Sequence, residues 1–130
     1  MVIVDGNKIP WEKLPGRDLK WLVTKDNTPA KNLTSCLITI SPGYTVQPAH
    51  SHPEGEEIVY IIDGIGKAYI DGVIHPIHGG CMVVFPEGQP HMLRNTGTEE
   101  MHAVCFFAPA AELADYKFFP DIDFDSGKEA

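Results

Sequence analysis

Apolar positions along the chain fall into short runs separated by Gly, Pro, Asp and Asn. Seven runs are rich in β-branched and aromatic residues and read as strands: LKWLVT (19–24), LTSCLITI (33–40), EIVYIID (57–63), GKAYI (66–70), CMVVF (81–85), HMLRN (91–95) and MHAVCFF (101–107). Turn chemistry closes most of them: Ser41-Pro42-Gly43, Asp63-Gly64, Asp71-Gly72, Pro86-Glu87-Gly88 and Thr96-Gly97. In the strongest run, Glu57, Val59 and Ile61 share one face, and Tyr60 and Ile62 point the other way. Only AAELADYK (110–117), after Pro109, offers a helix, and a short one. Residues 118–130 are acidic with Phe118, Phe119 and Phe124; the aromatic half is expected to pack across the strands and DSGKEA to fray. The pattern predicts one all-β domain over 1–130, a small antiparallel β-barrel or sandwich with its core at about 19–108 and a short C-terminal helix or tail over 109–130.

The chain has 130 residues, enough for one core but not two. Twelve Gly and eleven Pro without a G-x-y period fit frequent turns rather than collagen. The net charge is −8, and no Lys/Arg cluster occurs, so neither nucleic acid nor a membrane surface is an expected partner. Cys36, Cys81 and Cys105 are odd in number and form no C-x-x-C, which argues against a disulfide framework or a zinc ribbon. They read as buried thiols, with Cys81 closest to the chemistry described next. MVIVDGNKIP lacks the basic and apolar regions of a signal peptide, and the longest apolar runs are about five residues, so the expected location is cytoplasmic.

Histidine changes this picture, because three of the six fall in two turn-centred clusters with a carboxylate. His50 and His52 are two apart, so in extended chain both leave the same face and can grip one ion. Pro53 and Gly55 let the chain turn back, bringing Glu57 to the mouth of an apolar interior. Pro86 and Gly88 form a second turn, after which His91 opens a returning strand. Three imidazoles and one carboxylate suit a divalent transition metal: Mn, Fe, Zn, Ni, Co or Cu. A purely structural zinc site would be closed and rich in thiolates. His75 and His78 read as a turn segment at the surface. His102, if it points inward, is a candidate acid or base. Tyr44 and Glu56 are further candidates at the barrel mouth, although alternation turns Glu56 away from Glu57.

These two clusters resemble the motifs of the cupin superfamily. The first, G-x5-H-x-H-x3,4-E-x6-G, is filled by Gly43, His50, His52, Glu57 and Gly64, with six residues instead of five between Gly43 and His50. The second, G-x5-P-x-G-x2-H-x3-N, is filled by Gly80, Pro86, Gly88, His91 and Asn95. One copy of each makes the chain similar to the single-domain members, the monocupins. The resemblance implies a jelly-roll barrel (a double-stranded β-helix) holding a metal on His50, His52, Glu57 and His91, and a homodimer, with MVIV and the Tyr60/Ile62 face as candidate contacts. Members include dioxygenases, decarboxylases, isomerases, lyases and non-catalytic binders, and the fold does not choose among them.

The expected function is therefore that of a small-molecule metalloenzyme, of dioxygenase, lyase/decarboxylase or isomerase type, acting on an oxygen-chelating metabolite inside the barrel. A non-catalytic small-molecule binding or sensing protein is the alternative. The two arginines bear on the substrate. Alternation from His91 turns Arg94 outward, which weakens the case for a small dicarboxylate unless Arg17 reaches in. Val59, Ile61 and Leu93 face inward and favour a ligand with an apolar remainder.

Overall fold

The computed structural model describes residues 1–130. Twelve strands follow in chain order: β1 (Glu12–Leu14), β2 (Arg17–Val23), β3 (Thr34–Ile40), β4 (Ala49–Ser51), β5 (Glu56–Asp63), β6 (Ile65–Ile70), β7 (Val73–His78), β8 (Met82–Phe85), β9 (His91–Asn95), β10 (Met101–Ala108), β11 (Lys117–Phe119) and β12 (Lys128–Glu129). They form two six-stranded sheets, β1-β2-β3-β10-β5-β8 and β11-β4-β9-β6-β7-β12. Every pairing is antiparallel except β12 with β7. All seven strand runs read from the sequence are present, within one or two residues at their ends.

The core lies between the sheets. Alternation along β5 buries Glu57, Val59 and Ile61 and turns Tyr60 and Ile62 outward. β10 does the same, burying Met101, Ala103, Cys105 and Phe107. Leu19, Ile38, Ile40, Phe85 and Leu93 complete the same apolar layer. On the outside of the first sheet, the β5–β8 and β5–β10 registers leave Tyr60, Met82, Val84 and Phe106 as one exposed apolar stretch.

Two turns with the same dipeptide do different work. Asp71-Gly72 closes the β6–β7 hairpin with φ of 45° and 90°, the positive values a type I′ turn needs. Gly64 instead carries the chain from one sheet to the other, since β5 and β6 never pair. Its φ is 103°, and a Cβ there would sit 2.9 Å from Cβ of Met101.

The structure departs from the sequence reading in three places. Residues 110–117 form no α-helix: a single 3₁₀ turn, Leu113–Asp115, leads straight into β11. An isolated two-turn helix is marginal in water, and here burial of Tyr116 and pairing of β11 with β4 decide the conformation. His75 and His78 lie on β7 rather than in a turn, although both are exposed. β12 reaches only Val73 and Ile74, so Pro76 sits on an otherwise open edge, where its missing N–H is tolerated. The C-terminal residues are tied down rather than frayed. Phe124 is buried against Tyr69, Ile74 and Met92, Arg94 pairs with Asp125 at 2.7 Å, and Lys67 pairs with Glu129 at 3.0 Å. This tail covers the outer face of the second sheet, which is why β9 is buried on both faces and shows no alternation.

Candidate metal centre

The topology explains why residues far apart in sequence meet. β4 and β9 are neighbours in the second sheet, and His50 is the direct register partner of His91. His52 stands just past the end of β4, and Glu57 faces them from β5 in the opposite sheet. All four are buried, and one donor atom from each lies within 4.8 Å of every other. Oε1 of Glu57 is 3.0 Å from Nε2 of His52 and 3.1 Å from Nε2 of His91.

Neighbouring groups hold the rings in place. Nδ1 of His50 is 3.2 Å from the Pro48 carbonyl, and Nδ1 of His91 is 3.1 Å from the Gln89 carbonyl. Carbonyl oxygens only accept, so Nδ1 carries the hydrogen in both rings and Nε2 is left with its lone pair. Phe85 stacks on His91 with ring centres 3.8 Å apart. Tyr116 stacks on His50 at 5.0 Å and meets His52 edge-on at 4.4 Å. Nδ1 of His52 has no partner, so that ring is held by its contacts with Tyr116 and Phe107 instead.

This donor set fits a cation. His91 donates from Nδ1 to a carbonyl while turning Nε2 toward the Glu57 carboxylate. A divalent ion held between the two would satisfy both the ring nitrogen and the anionic oxygen. An ion about 2.1 Å from each donor would span donors up to about 4.2 Å apart, close to the 4.8 Å within which these atoms lie. The electrostatics agree. Burial pushes the Glu57 carboxyl up, but hydrogen bonds from His52 and His91 outweigh it and hold the group well below the usual carboxylate range. Burial, then the charges of His91 and Arg17, push the His50 imidazole down to about 3, so it stays neutral and available as a ligand.

Beside the cluster is a cavity of about 20 Å³, lined among others by Arg17, His50, Glu57, Phe85, His91 and Tyr116. That is room for a single ion or water. Beyond His52 and Phe107 lies an outer chamber of about 350 Å³, bounded also by Glu56, Pro109 and Asp115. Phe107 lines both spaces, while Ala110, Ala111 and Asp115 border the outer one and Tyr116 the inner.

The other residues singled out in the sequence lie elsewhere. Tyr44 is 59% exposed and lines neither space. His102 is on the outward face of β10, with Nδ1 2.8 Å from Asp63. Glu56 is exposed and borders the outer chamber. Cys81 is half-buried at the edge of the core, while Cys36 and Cys105 face each other across β3 and β10 as buried thiols. A hydrogen bond with Cys36, then burial, push the Cys105 thiol well up, which keeps it unreactive. Arg94 turns outward to Thr45 and Asp125. Arg17, in contrast, reaches the cavity, which removes the argument against an acidic ligand. No local pattern singles out Tyr116, because only the return of the C-terminal segment over β4 brings it to the site.

Comparison with known proteins agrees with this geometry. The profile of the family described as "Cupin domain" matches residues 36–107. Protein SchB of Streptomyces halstedii is 30% identical over 113 residues, which span 87% of this chain and 81% of that protein. Among solved structures, a predicted oxalate decarboxylase from Thermotoga maritima superposes with a TM-score of 0.75 at 23% identity, covering 83% of this chain and 99% of its own. The nucleoside dehydratase Pac13 superposes with a TM-score of 0.77 at 15% identity, covering 98% of both chains. At these identities the two structural likenesses speak to the fold. No helix is long and apolar enough to cross a membrane. Two facing sheets, both histidine-bearing motifs at their junction and a family match over more than half the length establish that the chain belongs to the cupin domain family.

Proposed function

We propose that the protein is a divalent-metal-dependent enzyme acting on a small, oxygen-chelating metabolite. The observation that carries this reading is the convergence of His50, His52, His91 and Glu57, all buried, on one point between the sheets. When bound, a transition metal would polarise an oxygen pair of the substrate or, if redox-active, bring dioxygen beside it.

The protein's own groups have separate tasks. Glu57 supplies the one anionic donor and fixes the direction of the His52 and His91 rings. The Pro48 and Gln89 carbonyls keep His50 and His91 in the metal-binding tautomer. Phe85, Leu93 and Phe107 keep water from the interior. Tyr116 closes the cavity, and burial pushes its hydroxyl far above the usual phenol range, so that it remains a proton donor at neutral pH.

The test is metal analysis after reconstitution, followed by turnover assays with and without oxygen. Wild type is expected to bind one ion per chain and His52→Ala to lose it. Oxygen consumption would place the protein with the dioxygenases; turnover without oxygen would place it with the lyases, decarboxylases or isomerases. Unchanged metal content in His52→Ala would refute the ligand set. A metal-loaded protein inert toward every chelating substrate would favour the binding or sensing role.

A further inference from the structure

The inner cavity is nearly filled. Its free volume of about 20 Å³ has room for one ion or water, not for a metabolite. The buried Tyr116 lines it, with its ring stacked on His50 and edge-on to His52. The chain around that ring is pinned at both ends. Pro109 packs so closely on Gly55 that a Cβ there would lie 3.1 Å from its Cδ, and Lys117–Phe119 pair with β4. Between these points, residues 110–116 belong to neither sheet. Apart from Ala111, their backbone bonds stay within the segment: the Asp115 amide donates to the Glu112 carbonyl and the Tyr116 amide to the Leu113 carbonyl. One side chain ties the segment to the barrel by hydrogen bonds. Oγ1 of Thr34, at the start of β3, accepts from the Ala111 amide and donates to the Ala111 carbonyl, both at 3.1 Å. The other polar tie is an exposed pair, Lys25 with Glu112 at 3.6 Å, which is worth little in solvent. Open space lies on both sides. A hollow of about 360 Å³ against Trp21 and Leu113, and the chamber of about 350 Å³ against His52 and Phe107, both border Ala110, Ala111 and Asp115.

We propose that residues 110–116 are a gate over the cavity and that Thr34 is its latch. Release of the Thr34–Ala111 pair lets the segment swing and withdraws Tyr116 from His50. The cavity then joins the outer chamber at Phe107, which lines both. This deepens the metal-dependent reading above and rests on it, since a gate matters only where a small molecule must reach the cluster. A hydroxyl that gives to and takes from one residue is a single point of attachment, so both bonds break together. Opening costs those two bonds and the burial of Tyr116, while Ala111 and Leu113 are only partly buried to begin with. Both sheets keep all their pairings. Such an opening is local and lies below global unfolding in free energy.

Cys36 reports on the gate. It is buried and lines the cavity, whereas its register partner Cys105 is buried but does not line it. The experiment is labelling of the native protein with methyl methanethiosulfonate in the presence of a chelator, each thiol being followed by peptide mass spectrometry. No metal takes part, so the gate and the metal-dependent reading fail separately. In wild type Cys36 should react before Cys105, at a rate that rises only weakly with urea below the unfolding transition, because local opening exposes little surface. Thr34→Val is close in shape but removes both bonds. It should speed Cys36 labelling about 10- to 30-fold, the scale of two hydrogen bonds. Thr34→Ser keeps a hydroxyl and should label at close to the wild-type rate. Cys36 reacting no sooner than Cys105 in wild type, or only with the steep urea dependence of global unfolding, would overturn the proposal without recourse to any variant. So would an unchanged Cys36 rate in Thr34→Val, whatever its urea midpoint, or an acceleration in Thr34→Ser as large as in Thr34→Val, with folding checked by circular dichroism.

Discussion

The neutral, buried His50 has a consequence for acid stability that can be worked through. In the folded, metal-free protein its imidazole takes up a proton only near pH 3, against an ordinary value of 6.5 in the unfolded chain. Burial is the main cause, with the charges of His91 and Arg17 adding to it. Below pH 6.5 the unfolded state therefore binds a proton that the folded state refuses, and stability falls as pH falls. The slope is about 1.4 kcal/mol per pH unit once the unfolded group is protonated. The loss amounts to about 2 kcal/mol at pH 5 and levels off at about 4–5 kcal/mol near pH 3, a large part of the stability of a small domain. Glu57 acts in the same direction but in a lower window. Its folded value is depressed, so its contribution is complete above its ordinary value of 4.5 and is lost only below it. The interval from pH 8 to pH 5 thus separates the His50 effect from that of Glu57, and the His50 variant separates it from the other histidines. The assay is urea denaturation of chelator-treated protein, followed by the fluorescence of Trp21, which packs against Phe107. His50→Gln keeps an amide able to reach the Pro48 carbonyl and cannot titrate. It should remove about 2 kcal/mol of the drop between pH 8 and pH 5. Wild-type stability that is flat over this range, or an identical drop in the variant, would refute the reasoning.

Two further outcomes are expected. Asn95 is fully buried, donates to the carbonyls of Ile40 (2.8 Å) and Glu99 (2.7 Å), and accepts from the Gly97 amide (2.9 Å). Asn95→Ala strands all three groups and should cost about 3 kcal/mol in urea denaturation without changing metal content; a loss below about 1 kcal/mol would contradict the structural role. Tyr116→Ala removes the ring stacked on His50 and opens the cavity to solvent. Metal removal by a chelator, followed by stopped flow, should accelerate at least about tenfold while stoichiometry stays at one; an unchanged rate would show that the ring does not control access.

The parts of this fold legible in the sequence are those where one face of a strand is wet. β5 and β10 declare themselves by alternation, and the face assigned to Glu57, Val59 and Ile61 is the buried one. The turns are legible for a related reason: positive φ at Gly64 and Gly72 needs the residue type found there. β4, β11 and β12 are too short to carry a period, and each exists because a neighbour offers its edge. For that reason the C-terminal segment read as a helix or loose tail, when it supplies Tyr116 to the site and Phe124 to the back of the second sheet. The site divides in the same way. His50, His52, Glu57 and His91 sit at fixed offsets within two local motifs, because each motif is a short connection between strands consecutive in the chain, carrying it from one sheet to the other. Arg17 and Tyr116 reach the cavity from outside those motifs, on strands or turns whose place depends on the whole topology. Local spacing therefore makes the four candidate ligands legible, whereas the remaining polar groups that line the cavity are brought inward only by the assembled sheets. On the proposed metal-dependent reading, it is at Arg17 and Tyr116, not at the histidines, that substitutions should change what the protein binds while leaving its metal in place.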